Sequence, residues 1–304
     1  MQWVRETTPD PERRRRYRQA MGITLVGNLV LMLGKGVGAY LSQSAAVYAD
    51  AANSAADMLY SLLMVLGLWM VQQPPDHSHP QGHSRFEPLV GLIVALAMGV
   101  AGYEAARISV ERFLAGGQSV QPGLPTLILL FGALVKVGMY VAIRRLAQDL
   151  VSPSLEAAAR DNLSDILTSA AALVGAWGST FWHPLLDPLA GLGVALWIFR
   201  AVYEVGKENL DYLTGAGADP EARERLATEA AQVPGVLNVH QVITEYIGPR
   251  LVVDLHINVD GEITLHEAHR IADQVQARLE DLADVDRVYV HVEPEEKEGA
   301  PLSV

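Results

Sequence analysis

Long apolar runs dominate the first two-thirds of the chain. Each reaches about 20 residues, the length that crosses the hydrocarbon core of a bilayer. The first run follows RRRRYR, is too long for a signal-peptide core and lacks a cleavage-like end, so we count it as a span. The pattern predicts an N-terminal tail (residues 1–16) and a membrane domain (17–208) with six transmembrane helices at residues 19–41, 45–71, 88–113, 124–146, 153–178 and 184–206.

Shorter elements follow in residues 209–295. Asp219-Pro220 is typical of a helix start before EARERLATEAAQV, and TLHEAHRIADQVQARLEDL has the spacing of an amphipathic helix. Alternating apolar and polar positions indicate strands in VLNVHQVITEYI, RLVVDLHINV and VDRVYVHVEP. The order α-β-β-α-β predicts a small α+β domain with helices on one face of a sheet. We expect disorder in the first dozen residues and in the C-terminal tail, residues 296–304.

Charge separates the two regions. Residues 1–206 carry 15 Lys+Arg and 15 Asp+Glu, whereas residues 207–304 carry 8 and 20 and hold the whole net charge of −12. This imbalance predicts two domains in two solvents, and an acidic soluble domain argues against nucleic acid and favours cations as partners. Because the chain lacks cysteine, any metal must be bound by oxygen or imidazole.

Basic residues mark alternate loops between the predicted spans. The loops at residues 41–44, 115–123 and 179–184 carry no Lys or Arg. Because cytoplasmic loops are enriched in basic residues, both termini are predicted to be cytoplasmic. Arg107 and Arg112, near the outer end of span three, are exceptions that we assign to a helix extension. The basic residues on the cytoplasmic side are Arg13 to Arg16, Arg18, Arg85, Arg144, Arg145 and Arg160.

Two spans carry polar pairs one helical turn apart: Asn53 with Asp57, and Asp161 with Asp165. Ionisable residues inside a bilayer are costly and usually mark an ion or proton path. Residues at i and i+4 share a helix face, so two opposed faces would surround a cation with three carboxylates and an amide oxygen. The structural alternative is that these groups hydrogen-bond between helices. We disfavour it because three carboxylates need counter-ions and no adjacent cation competes.

Three other charged residues lie near these pairs in the predicted spans. Asp50 stands one turn before Asn53, and we favour a structural or supporting role for it over direct binding of a cation. Lys35 and Lys136 lie inside spans one and four, where pairing with Asp50 or another carboxylate is conceivable.

The loop PPDHSHPQGHSRFE combines a carboxylate with imidazoles. Asp76, His79 and His83 follow a D-x-x-H-x-x-x-H spacing that supplies most of a tetrahedral divalent-metal site. The alternative is a hydrophilic turn that is rich in histidine by chance. The loop lacks the H-E-x-x-H pattern of a zinc protease.

The acidic domain holds five of the nine histidines. His291 and Glu293 share a face of the last predicted strand, and His266 and His269 are neighbours on one predicted helix. Any single one is more often an ordinary surface histidine than a ligand, but their number beside carboxylates favours a metal cluster. The candidate ligands are His240, His256, His266, His269, His291 and Glu293.

With these motifs in place, the chain resembles the cation diffusion facilitator family over nearly its whole length. The shared motifs are A-D-A-x-x-S-x-x-D, P-P-D-x-x-H-x-x-G-H-x-R-x-E, D-N-x-S-D and D-P-x-A, in that order, before a histidine-bearing C-terminal domain. The resemblance implies a homodimer in the cell (inner) membrane that exchanges divalent metal for protons by alternating access. It also implies a ferredoxin-like, metallochaperone-like cytoplasmic domain.

By position, the resemblance assigns Asn53, Asp57, Asp161 and Asp165 to the transport site between spans two and five. It assigns Asp76, His79 and His83 to a loop site. His240, His256, His269, His291 and Glu293 match a cytoplasmic site that stabilises the dimer, with His266 as an added neighbour. Arg85 takes a basic position that pairs in some members with an aspartate after span six. Here that stretch reads YLTGAGAD, in which the family's aspartate is not evident.

The predicted transport site consists of oxygen ligands only, whereas zinc-transporting relatives usually have a histidine at the position of Asp161. Oxygen ligands favour Mn²⁺, as does the resemblance to bacterial manganese-efflux members with an Asn-Asp-Asp-Asp site. We therefore expect Mn²⁺ efflux without enzymatic activity and without an organic cofactor. The alternatives are efflux of Zn²⁺, Fe²⁺ or Co²⁺ by the same mechanism, a membrane metal sensor or scaffold, and a sodium/proton exchanger, which the histidine-rich segments disfavour.

Overall fold

The computed structural model describes residues 3–4, 10–42, 45–116 and 124–295. The side chains of some residues inside its helices, including Asp50, Asn53 and Asp187, lie outside this description. The chain divides into two compact units, Met1–Leu210 and Asp211–Val304.

In its described residues, the first unit consists of six long helices. They are α1 (Pro11–Ser42), α2 (Ala45–Val71), α3 (Phe86–Leu114), α4 (Leu124–Leu150), α5 (Pro153–Phe181) and α6 (Leu186–Thr214), the last of which continues past Leu210. Helix α1 begins well before the apolar run at residue 19, so the prediction of disorder is wrong for Pro11 and Glu12. The helix begins here because Asp10 caps its N-terminus: the Asp10 carboxylate accepts hydrogen bonds from the backbone N–H groups of Glu12 and Arg13 at 2.9 and 3.1 Å.

Large apolar side chains cover the outer surface of these helices. Leu96, Leu134 and Leu196 are each more than 70% exposed, which suits contact with lipid rather than water. In the part of the chain that is described, four helical stretches are long and apolar enough to cross a bilayer: Pro11–Gly38, Phe86–Leu114, Thr126–Leu150 and Pro188–Thr214. The described apolar stretch of α2, Asp57–Val71, is shorter. The protein is therefore a helical membrane protein, while the count of six spans stays a prediction.

Close helix contacts hold the bundle together. Helix α1 packs on α2 and α4, α3 packs on α2 and α5, and α4 packs on α5. The turn between α4 and α5 is tight: Val151 has a φ of 50°, and the Ser152 hydroxyl accepts a hydrogen bond from the backbone N–H of Leu155 to cap α5. This turn fixes how α4 and α5, which carry several charged residues, face each other.

The second unit is the predicted α+β domain. It contains α7 (Pro220–Ala231), β1 (Asn238–Ile247), β2 (Arg250–Val259), α8 (Leu265–Glu280) and β3 (Val285–Pro294). The sheet has the order β1-β2-β3, with β1–β2 antiparallel and β2–β3 parallel. Alternate residues of β2 from Leu251 to Val259 are buried with Ile271, Val275 and Leu279 of α8. The other face of the sheet therefore carries Asp254, His256 and Asn258.

Candidate metal centre

Carboxylates from α2 and α5 line one cavity inside the helical unit. The cavity has a volume of about 560 Å³ and its walls include Asp57, Asp161 and Asp165. Asp161 and Asp165 lie one turn apart on α5, so both reach the cavity from the same helix face. None of the described residues that line it is a histidine. The side chain of Asn53, the fourth predicted ligand, lies outside the described residues.

A lysine from α4 lies among these carboxylates. The Nζ atom of Lys136 is 2.5 Å from Oδ2 of Asp165 and 3.4 Å from Oδ2 of Asp57. Its side chain is 5% exposed, so the ammonium is buried, whereas its two partner carboxylates are only partly buried. The expectation that no cation competes for these carboxylates is wrong, because α4 packs on α5 and turns Lys136 towards them. Pairing of Lys136 with a carboxylate was one of the alternatives left open from its position inside predicted span four, and the structure confirms that alternative.

Uncharged polar groups of α1 and α2 extend the cavity wall. Asn28 donates a hydrogen bond to Ser61 at 2.5 Å, and Ser61 donates one to the backbone carbonyl of Asp57 at 2.7 Å. Among the described residues, the buried Asn28 Oδ1 and Thr24 Oγ1 atoms have no hydrogen-bond partner. Thr24 and Asn28 lie at i and i+4 and both line the cavity. Such a wall can accept hydrogen bonds from the water shell of an ion.

Another carboxylate, which was not among the predicted site residues, lies buried at the start of α3. Glu87 is 1% exposed. It accepts hydrogen bonds from the Tyr17 hydroxyl, at 3.2 and 3.3 Å to its two oxygens, from Ser154 at 3.3 Å and from Ser152. These partners come from α1 and from the start of α5, so Glu87 ties three helices together. In the sequence Glu87 is the final glutamate of the P-P-D-x-x-H-x-x-G-H-x-R-x-E motif, at the beginning of an apolar run.

The loop between α2 and α3 brings its three predicted ligands together. One ligand atom each from Asp76, His79 and His83 lies within 4.8 Å of the others. Oxygen atoms of Asp76 are 3.5 Å from His79 Nδ1 and from His83 Nε2. The backbone N–H of His79, followed by that of Ser78, donates a hydrogen bond that keeps the pKa of Asp76 below its usual value. The group offers two imidazoles and a charged carboxylate to a divalent metal.

A second imidazole–carboxylate group lies on the open face of the sheet. Ligand atoms of His240, His256 and Glu293 lie within 4.8 Å of one another, and His256 Nδ1 is 3.0 Å from Glu293 Oε1. The hydrogen bond from His256 is the main cause that lowers the pKa of Glu293. His291 pairs with His256 in the strand register, and its Nε2 is 3.5 Å from Glu293 Oε1. A bulge between Val239 and Gln241 brings His240 to the same group.

His266 and His269 lie apart from this group. Both are exposed on α8, and His269 Nε2 is 3.7 Å from Asp273 Oδ2 on the same helix. Helix α8 packs on the buried face of the sheet, whereas the histidine–glutamate group is on the opposite face. Within one subunit these two histidines therefore do not reach the group, and their part in a site that stabilises the dimer stays a prediction.

Comparison with known proteins agrees with the two-unit division. The protein-family model described as the cation efflux transmembrane domain matches residues 22–214. A second family model, described as the cytoplasmic domain of cation efflux proteins, matches residues 218–295. A solved variant of the C-terminal domain of MamM is 29% identical and aligns with 26% of this chain and all of that chain, with a TM-score of 0.25.

Full-length relatives cover nearly the whole chain. A protein named an uncharacterized transporter in Methanocaldococcus jannaschii is 34% identical over 279 residues, which are 92% of this chain and 99% of that protein. The manganese efflux system protein MneS of Bacillus subtilis is 28% identical over 275 residues, 90% of this chain and 94% of that protein. The resemblance inferred from the motifs is thus confirmed: the chain belongs to the cation efflux, or cation diffusion facilitator, family of membrane transporters that export divalent metals and are not enzymes.

Proposed function

We propose that this protein exports Mn²⁺ from the cytoplasm in exchange for protons by alternating access. The observation that carries the proposal is that Asp57, Asp161 and Asp165 line one cavity without a described histidine among them. Carboxylate oxygens suit Mn²⁺, whereas imidazole favours Zn²⁺. Two relatives named manganese efflux system proteins, MneS and MneP of Bacillus subtilis, support the same choice of metal.

In this mechanism the metal enters an inward-facing cavity between α2 and α5. Asp57, Asp161 and Asp165 bind it as carboxylates, and Asn53 adds a neutral oxygen. After the bundle turns outward, external protons displace the metal. Because these four residues include no histidine, the three carboxylates carry the exchanged protons.

We further propose a homodimer in the cell (inner) membrane with six spans per subunit and both termini in the cytoplasm. Residues 17–208 form the membrane domain and residues 209–295 the cytoplasmic domain. The Asp76–His79–His83 group and the His240–His256–His291–Glu293 group bind metal on the cytoplasmic side, where the second tightens the dimer when metal is abundant. Neutral imidazoles and charged carboxylates are suitable ligands for this task.

Proteoliposomes provide the test of transport. We expect the wild-type protein to take up Mn²⁺ under a pH gradient, and Asp57→Asn and Asp165→Asn to lower the initial rate at least about tenfold, because each replaces a charged ligand by a neutral one of the same size. Asp149→Asn, an exposed substitution on α4, is the matched control and should leave the rate unchanged. Lack of uptake by folded wild-type protein would favour the sensor or scaffold alternative. Undiminished uptake by both ligand variants would place the transport site elsewhere.

The choice of metal is tested in the same vesicles with Mn²⁺, Zn²⁺, Fe²⁺ and Co²⁺. Asn53→His and Asp161→His each add an imidazole, so we expect the ratio of Zn²⁺ to Mn²⁺ uptake to rise. Efficient Zn²⁺ uptake by the wild type would instead support the alternative of zinc efflux. Affinity follows the Irving–Williams order at most sites, so rejection of Zn²⁺ has to come from geometry.

A further inference from the structure

The buried ammonium of Lys136 lies where a transported cation has to bind. Its Nζ atom is 2.5 Å from Asp165 Oδ2 and 3.4 Å from Asp57 Oδ2. These carboxylates belong to two different helices, α2 and α5, and Lys136 reaches them from a third helix, α4. One lysine thus bridges the two halves of the proposed transport site.

The ammonium and a divalent metal exclude each other at these oxygens. A Mn²⁺ ion held by Asp57 and Asp165 would lie within a few ångströms of Nζ, where two positive charges repel each other strongly because little water screens them. The same oxygen lone pairs cannot serve both cations. The flexible four-carbon side chain of lysine allows Nζ to withdraw without movement of the backbone.

We propose that Lys136 is an internal counter-ion that competes with the transported metal and so sets its affinity. This inference rests on the proposed function. In the metal-free protein the ammonium neutralises part of the carboxylate charge. Incoming metal displaces Nζ from Asp57 and Asp165, and the return of Nζ helps to expel the metal on the other side. Lys136 thus acts through the carboxylates of Asp57 and Asp165 and binds no metal itself.

The kinetic test replaces Lys136 by methionine, which is similar in length and carries no charge. We expect Lys136→Met to lower the KM for Mn²⁺ by about tenfold, because the competitor is gone, and to lower kcat, because release is no longer assisted. Lys136→Arg keeps the charge and should keep the KM close to the wild-type value. Lys207→Met, which removes an exposed lysine of α6, is the matched control and should change neither constant.

If Lys136→Met does not fold, a labelling experiment on the wild-type chain tests whether the metal displaces Lys136. Reductive methylation with formaldehyde, read out by peptide mass spectrometry, compares Lys136 with Lys35, Lys207 and Lys297. We expect Mn²⁺ to increase methylation of Lys136 alone, and not in an Asp165→Asn chain. The inference would be overturned if folded Lys136→Met had an unchanged KM, or if Mn²⁺ did not change the labelling of Lys136. Either result would leave the proposal of Mn²⁺ transport intact. Failure of the wild type to transport Mn²⁺ would overturn the proposed function as well.

Discussion

At the scale of single residues, the helical unit accommodates carboxylates in its interior in two ways, one for partly buried groups and one for a fully buried group. Asp57 and Asp165 lie beside the ammonium of Lys136, whereas Glu87 is surrounded by the hydroxyl groups of Tyr17, Ser152 and Ser154. A charge that is balanced by one mobile cation can be released to another cation. A carboxylate that accepts hydrogen bonds from several hydroxyl groups of two other helices holds those helices in a fixed arrangement. The first arrangement suits transport and the second suits structure.

Tyr17→Phe tests the structural role of Glu87. The substitution removes one donor and leaves the buried carboxylate with fewer hydrogen bonds, so we expect a loss of about 1–3 kcal/mol in the free energy of unfolding. Thermal unfolding of the protein in detergent measures the change. Tyr103→Phe makes the same substitution at an exposed position of α3 and should have almost no effect. Equal stability of the two variants would show that the Tyr17 hydroxyl contributes little.

At the scale of the helices, close packing depends on positions without a side chain. A Cβ atom on Gly67 of α2 would collide with the side chain of Val90 on α3, and one on Gly91 of α3 would collide with the amide of Asn209 on α6. Helices approach closely where a small residue meets a larger one. These contacts fix α3 between its neighbours beside the cavity.

Gly67→Ala is therefore expected to destabilise the protein by about 1–3 kcal/mol, because an added methyl group forces α2 and α3 apart. Gly138→Ala on α4 is the control: its Cβ would meet nothing within 4 Å, so the higher helix propensity of alanine should be neutral or slightly stabilising. The unfolding temperature of each variant in detergent gives the comparison. A Gly67→Ala protein as stable as the control would mean that the Val90 side chain moves aside without cost.

Sequence predicted the elements better than the contacts between them. The Asp219-Pro220 start of α7 is confirmed, since the Asp219 carboxylate caps the helix by accepting a hydrogen bond from the backbone N–H of Ala222. Such signals are local and can be read from a few residues. The pairing of Lys136 with Asp57 and Asp165 depends on the rotation of α4 against α5, and the position of His240 depends on a bulge. Neither has a local signal.

At the scale of the whole molecule, the helical cavity and the two imidazole-bearing groups offer different ligands to metal ions. The described wall of the helical cavity supplies carboxylate and neutral oxygens. Two further groups combine imidazole with carboxylate: the loop group (Asp76, His79 and His83) and the sheet group (His240, His256, His291 and Glu293). Because imidazole favours Zn²⁺ and later transition metals more than oxygen does, the proposed transport and cytoplasmic metal-binding roles need not have the same metal preference.

The sheet group gives the last prediction. His256 lies between His240 and His291 and is 3.0 Å from Glu293, so His256→Ala removes the central imidazole of the group. We expect the metal concentration at which dimer tightening is half complete to rise at least about tenfold. Loss of a residue that supports a metal ligand typically lowers metal affinity by this much or more. His269→Ala, an exposed substitution on α8, should leave it unchanged. The measurement is sedimentation of the full chain in detergent with added Zn²⁺ or Mn²⁺, which gives this metal concentration for each variant. All chains carry Asp165→Asn, which weakens the proposed transport site. An equal effect of the two substitutions would mean that α8 contributes ligands across the dimer, and no effect of either would remove the sheet group from metal binding.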